Sequence, residues 1–294
     1  MTTAVQVILD ALSVGSLYAL VALGIGLIFG IMRLINFAYG EFIMIGAYML
    51  MLVAAQYVPV TIIVSMLIVI LVSLLSDRIA FKPVRNANPT TMLVTSFAVS
   101  YFLQYLFVML VGARPKGFTI LTELAEPLVI GAVRIPKVNL LIVVLTVFLM
   151  LGLALFLRRT RFGIQMRAAA LNFRMARLLG VRANRVIAVA FALSGLLAGV
   201  VAVFVVVQGG TLAPAMGVQL ALIGFVATVI GGMGSLVGAV LGGYFVGVVT
   251  TLLQLWLPIE LRPYREAFVF ASVILVLLAR PQGLFRGAES RERV

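Results

Sequence analysis

The sequence predicts an all-α fold, a polytopic transmembrane helical bundle, on three observations. Of its 294 residues 64% are hydrophobic and only 11% are charged, whereas soluble domains sit near half apolar and a quarter charged. The apolar residues come in long unbroken runs, close to the roughly 20 that carry a helix across the hydrocarbon. The strict alternation of a membrane barrel is missing.

Nine apolar segments follow one another, at 6–30, 40–57, 59–77, 91–112, 138–157, 186–208, 216–233, 236–257 and 265–280. Nine spans is the best reading, within a range of eight to ten, in a single domain over 1–294. The first segment has no Lys or Arg before Arg33. A cleaved signal peptide would open on a basic region, so this span reads as retained. Gly24, Gly26, Gly30, Gly40 and Gly46 suit a broken or re-entrant element near residues 24–45. The third segment runs into SDRIAFKPVRNANP (76–89), where Arg78, Lys82 and Arg85 outweigh Asp77. The loop at 112–137 mixes four basic residues with two acidic ones. The fifth segment ends in an arginine-rich loop, 158–185. In the stretch 224–249, Gly234, Gly238 and Gly242 recur every four residues beside Ala239, Gly243 and Gly247, two ridges that let helix backbones approach in lipid. A short mixed loop at 257–266 precedes the last segment, and Arg280, Arg286, Arg291 and Arg293 mark the tail. Basic excess belongs on the cytoplasmic side. That rule places Arg33, 76–89, 158–185 and the tail inside, 112–137 and 257–266 outside, the N-terminus outside and the C-terminus in the cytoplasm.

Composition also excludes chemistry. The chain has no Cys and no His, which removes disulfides, thiol nucleophiles, Cys/His metal sites and histidine acid–base catalysis. Lys82, Lys116 and Lys137 are the only lysines and none follows a glycine, so there is no P-loop. The net charge of +13 is explained by the inside-positive bias, not by nucleic acid.

Three stretches stand out. Between Arg158 and Arg185 lie eight arginines and no carboxylate. At 100° per residue, Ile164, Ala168, Leu171, Met175, Leu178 and Leu179 fall on one face about 100° wide, with Arg167, Arg174 and Arg177 beside it. The expected element is an amphipathic helix over about 164–179, closed by Gly180. It either lies on anionic lipid or docks a cytoplasmic partner; Phe162 and Phe173 are too few aromatics for a nucleic-acid surface. In RLINFAYGEFIMIGAY (33–48), Glu41 sits in an apolar segment where a carboxylate must face protein or water, beside Asn36 and Tyr39. It is either a pathway group or an interfacial carboxylate paired with an arginine such as Arg33. In the fourth segment Ser96, Ser100 and Gln104 share a face, which either lines a solute path or bonds neighbouring helices.

In this order, GLIFGIMRLINFAYGEFIMIGAY (26–48), NPTTMLVTSFAVSYFLQ (88–104), FGIQMRAAALNFRMARLLGVRANRVIAVAFALSGLLAG (162–199), GFVATVIGGMGSLVGAVLGGYFVG (224–247) and RPQGLF (280–285) resemble the permease subunits of bacterial ATP-driven (ABC) importers for branched-chain amino acids, the LivH type. Tyr39 departs from that pattern, which usually has His before Gly-Glu. The resemblance implies a transport subunit of the bacterial inner membrane, not an enzyme. With a second permease of the LivM type it would form the translocation path for substrate brought by a periplasmic solute-binding protein. Two cytoplasmic ATPase subunits would bind the ATP, so this chain itself takes no cofactor. It further implies that the helix at about 164–179 is a coupling helix, with Ala168, Leu171, Arg174, Met175, Arg177 and Gly180 docking the ATPase. Asn36, Glu41, Ser96, Ser100 and Gln104 would line or gate the path. Loops 112–137 and 257–266 would meet the binding protein. Urea and short amides are carried by near relatives, so the substrate within these classes stays open. The rival reading, a secondary transporter or channel, needs an ion site, for which Asp10, Glu41 and Asp77 are the only candidates.

Overall fold

The computed structural model describes residues 2–53, 57–85, 87–130, 133–280 and 283–284. Each of the nine apolar segments is a helix: α1 (Thr2–Met32), α2 (Tyr39–Val53), α3 (Val58–Val84), α4 (Pro89–Val111), α5 (Lys137–Arg159), then α8 (Ala183–Gly209), α9 (Met216–Gly231), α10 (Leu236–Trp256) and α11 (Arg265–Ala279). Two short helices between them, α6 (Arg161–Leu171) and α7 (Phe173–Leu178), form the arginine-rich loop. The architecture is the polytopic bundle the sequence predicts.

The nine are not equal. Six, namely α1, α3, α4, α5, α8 and α10, are long and apolar enough to cross a membrane. Helices α2, α9 and α11 have 15, 16 and 15 residues. At about 1.5 Å per residue they reach roughly 22–24 Å, short of the roughly 30 Å hydrocarbon core. Helices α1 and α8 form the centre of the bundle, while α3, α4 and α5 turn most of their surface outward.

Small residues set the spacing at the centre. Along α1 and α10, Gly15 faces Gly247, and Gly243 faces Ala19. The order reverses between the two helices, so they run antiparallel with backbones in contact. A side chain at Gly243 or Gly247 would strike main-chain atoms of α1. Hydroxyls then tie neighbours by donating to carbonyls across the gaps: Ser194 to Gly24 at 3.0 Å, Ser73 to Phe191 at 2.7 Å, Ser65 to Gly46 at 2.8 Å, Thr228 to Ala22 at 3.2 Å. Without water as a competitor, such bonds fix register while dispersion holds the surfaces together.

The two ends of the bundle sort as the charge bias requires. At one end Arg85 reaches Asn184 at 2.7 Å, and Leu284 donates to the Ile230 carbonyl at 2.7 Å, so the ends of α3, α8 and α9 share a side with the arginine loop. At the other, Lys116–Gly117 pairs antiparallel with Thr211–Leu212 as strands β1 and β4, and β2 (Pro127–Ile130) pairs with β3 (Val133–Pro136) in a hairpin. The loop 112–137 therefore caps the end opposite the arginines.

The expected break near 24–45 is present, at residues 33–38. Helix α1 continues through Gly24, Gly26 and Gly30. Inside an apolar bundle no water replaces a broken helical bond, so glycine alone does not stop the helix. Gly24 serves packing, leaving room for the Tyr39 ring. The helix ends at Arg33, in the left-handed region at φ 51°, and residues 33–38 run as a non-helical connection into α2.

Replacing Gly247 by Leu should cost about 3 kcal/mol through overpacking, because its neighbour is main chain. Leu at Gly152, which has open space around it, should be neutral. Thermal unfolding of the two purified variants in one detergent checks the contrast.

Candidate functional site

Helix α2 is the odd member of the bundle, because every residue from Tyr39 to Tyr48 is buried. Its entry is shaped by Asn36, whose Oδ1 accepts from the Ala38 amide at 3.1 Å while its carbonyl accepts from Tyr39. This turn supplies partners to amides that an incoming strand of chain would leave bare. Across from it, Gly40 lies against Gly217 and Ala221 of α9, so the starts of two short helices meet backbone to backbone. Glu41 is 0% exposed. Its Oε1 accepts from the Ser100 hydroxyl on α4 at 3.1 Å, so its partner is a serine and not an arginine. Asn36 Nδ2, Tyr39 Oη, Glu41 Oε2 and Tyr48 Oη are buried with no hydrogen-bond partner among the described residues. Such groups are rare in folded proteins and point to something missing. Of the polar stripe on α4, Ser100 faces α2, Ser96 is buried and donates to the Leu93 carbonyl of its own helix at 2.8 Å, and Gln104 is half-buried one turn further on.

The arginine loop is two helices, not one over 164–179. Asn172 breaks it: its backbone is extended (φ −149°, ψ 102°) and its Oδ1 caps α7 by accepting from the Met175 amide at 3.0 Å. A side chain that offers the backbone an alternative to the helical bond favours caps over helix interiors. Thr160 caps α6 in the same way, accepting from Gly163 at 3.0 Å. The far end is a Schellman turn: the Val181 amide reaches the Ala176 carbonyl, the Gly180 amide reaches Arg177, and Gly180 takes φ 85°. The left-handed C′ position is why a glycine stands there. Gly163, Met166 and Ala169 pack inward. The opposite face keeps Ile164, Leu171, Met175, Leu178 and Leu179 exposed, Leu171 at 73% and Leu178 at 76%, with Arg167 and Arg177 exposed and Ala168 half-buried. The side chain of Arg174 lies outside the described residues. Among the described residues no three acidic groups gather to hold a metal.

A family profile described as "Branched-chain amino acid transport system / permease component" matches residues 7–278. The chain belongs to this permease family. It is 34% identical to the high-affinity branched-chain amino acid transport system permease protein BraD of Pseudomonas aeruginosa, over 95% of this chain and 94% of that one. It is 32% identical, over the same shares, to the permease protein LivH of Escherichia coli. The probable branched-chain amino acid transport permease protein LivH of Methanocaldococcus jannaschii is 27% identical over 93% of this chain and 90% of its own. No solved structure matches.

In this permease sequence reasoning missed a feature beside the arginine loop. A cavity of about 430 Å³ is walled by Met32 and Arg33 at the end of α1, Arg85, Met92 on α4, Ala169–Phe173 of the loop, and Ile187 on α8. On its rim Arg85 pairs with Asp77 at 2.5 Å, both side chains at most 10% exposed, and also donates to Asn184. Eight residues over-rotate an α-helix by about 80°. A π turn at Asp77–Phe81 takes up that excess and brings the two charges together. The signal was present as an acid and a base flanking an apolar helix end, but the π turn that makes them neighbours has no sequence signature. Arg85→Met should destabilise the permease by about 3 kcal/mol by stranding Asp77. Combining it with Asp77→Leu should recover most of the loss in a chemical-denaturation double-mutant cycle.

Proposed function

We propose that this permease is one of two membrane subunits of an ATP-driven importer for branched-chain amino acids, oriented with the arginine loop in the cytoplasm of a bacterial cell and embedded in its inner membrane. The observation that carries the reading is the exposed apolar row Ile164, Leu171, Met175, Leu178 and Leu179, flanked by Arg167 and Arg177 at the positively charged end of the bundle. A membrane-facing helix turns such a row into lipid. Here the inward face is the one made by Gly163, Met166 and Ala169, so the row is left for a partner with an apolar cleft and acidic rim. Family membership supports an ATPase as that partner, a second permease of the LivM type across the path, and a periplasmic binding protein at the end capped by loops 112–137 and 257–266. Ala168, Leu171, Met175, Arg174, Arg177 and Gly180 form the docking element. The ATPases hold the ATP, and this chain contributes motion and a passage. Asn36, Glu41, Ser96, Ser100 and Gln104 form the passage wall at the buried junction.

A secondary transporter is disfavoured by one observation: Asp77, a candidate ion ligand, is engaged by Arg85. Leu171→Glu and Leu178→Glu change exposed positions, so membrane insertion should be intact while co-purification of the co-expressed ATPase falls at least about tenfold. Full retention of the ATPase by both variants would disprove docking at this row. Glu41→Ala should assemble normally and lower leucine uptake into vesicles by about tenfold or more; uptake at the original rate removes Glu41 from the path.

A further inference from the structure

We infer that the cavity between the arginine loop and the helix ends binds the head group of an anionic phospholipid, with its phosphate held by Arg33 and its glycerol set against Met32, Met92, Phe173 and Ile187.

The cavity stands where lipid head groups stand. Met32 and Arg33 mark the end of α1, Arg85 follows the end of α3, and Met92 lies in the first turn of α4. Three spans begin or end around it, so its wall is at the level of the membrane surface. The loop closes it from outside with Ala169–Phe173. Its volume of about 430 Å³ falls within the roughly 300–1,000 Å³ of sites that take small molecules. The acyl chains of such a lipid stay in the bilayer, beside α3 and α4, which turn most of their surface outward. A head group seated here touches α6, Asn172 and α7 at once and braces both pieces of the loop against α1 and α4.

The wall carries the charge for an anion. Two guanidiniums line it and, among the described residues, no carboxylate does. Arg85 is neutralised by Asp77 through Nη2 and bonded to Asn184 through Nη1. Its Nε is a buried donor with no partner among the described residues, which points to an acceptor missing at this wall. Arg33 brings the second charge on an exposed side chain. Its backbone sits in the left-handed region at φ 51°, an uncommon state for a residue other than glycine, and strain of this kind gathers at ligand clamps. A guanidinium meets two oxygens of a phosphate with parallel donors. The rest of the wall is apolar, Ile187 being fully buried and Met92 7% exposed. Inorganic phosphate gains nothing from that surface, whereas the glycerol and first methylenes of a lipid do. A choline head group adds a cation, and no carboxylate among the described lining residues receives it.

Native mass spectrometry of the full-length permease, titrated with phosphatidylglycerol or phosphatidylcholine of the same acyl chains, reads the binding. The first phosphatidylglycerol should bind about tenfold more tightly than the first phosphatidylcholine. Arg33→Gln should raise the half-saturating phosphatidylglycerol concentration about tenfold, and Ala170→Trp, which fills the cavity, should abolish the tight site. Arg161→Gln removes the same charge from an exposed position of α6 that does not line the cavity, and should leave the tight site as it was. Excess inorganic phosphate should not displace the lipid. Equal binding of the two lipids, or equal loss in Arg33→Gln and Arg161→Gln, overturns the site. Displacement by inorganic phosphate overturns the lipid as the source of the anion and assigns the cavity to a soluble phosphate. If Ala170→Trp does not fold, the comparison of Arg33→Gln with Arg161→Gln decides alone.

Discussion

Non-helical backbone inside a membrane has to be sheltered by protein, because hydrocarbon offers its amides and carbonyls nothing. Much of this bundle is arranged around that constraint. The chain leaves helical geometry at Arg33 and does not resume it until Tyr39. Asn36 answers part of the hydrogen-bonding deficit within the segment itself. The rest is met by enclosure: α3 and α8 stand behind α2, Gly24 of α1 makes room for Tyr39, α9 stands against it at Gly217, and α4 brings Ser100 to Glu41. The small residues at these contacts follow from the same demand. Gly24, Gly40 and Gly217 stand where a longer side chain would push the enclosing helices away and open the segment to lipid.

The consequence for function is a division of the molecule by depth. Buried polar groups without partners gather on and just before one short helix, enclosed from Tyr39 to Tyr48, and the exposed apolar row lies on a loop at one end. Beside the loop stand the Asp77–Arg85 pair, the Asn184 contact and the cavity at Ala169–Phe173. Arg85 touches the end of one helix and the start of another, so a displacement of the loop reaches α3 and α8 together. These are the two helices that α2 leans on through Ser65 and Gly46 and through Ala202.

The bundle and its helix order were legible because hydropathy reports length and burial directly, and charge reports which ends share a side. The three short helices were read as spans because their composition equals that of spans; only length after folding separates α2 from α3. Gly24 marks close approach to Tyr39, and the break that the glycines suggested falls just beyond them, at 33–38. The site was legible to the extent that it is local. Glu41, Ser96, Ser100 and Gly180 could be singled out one stretch at a time, and the Schellman turn at Gly180 follows from local rules. Asn172 escaped notice because an asparagine on a helical wheel looks like any polar position until its capping geometry is seen. Phe37, which stacks on Phe97 at 4.3 Å and meets Phe225 at 5.6 Å, draws its partners from two other segments, and no periodicity within one segment brings the three together.

The interruption at Asn172 changes how force can pass through the proposed docking element. Helix α6 is seated on the bundle by Gly163, Met166 and Ala169, and α7 is seated by Ala176 and ends in a glycine turn, with Asn172 the single residue between them. Two rigid pieces meeting at a single residue behave as a wrist. They carry thrust along the forearm but give way to torque, so a push received on the proposed docking row would reach the spans without wringing them.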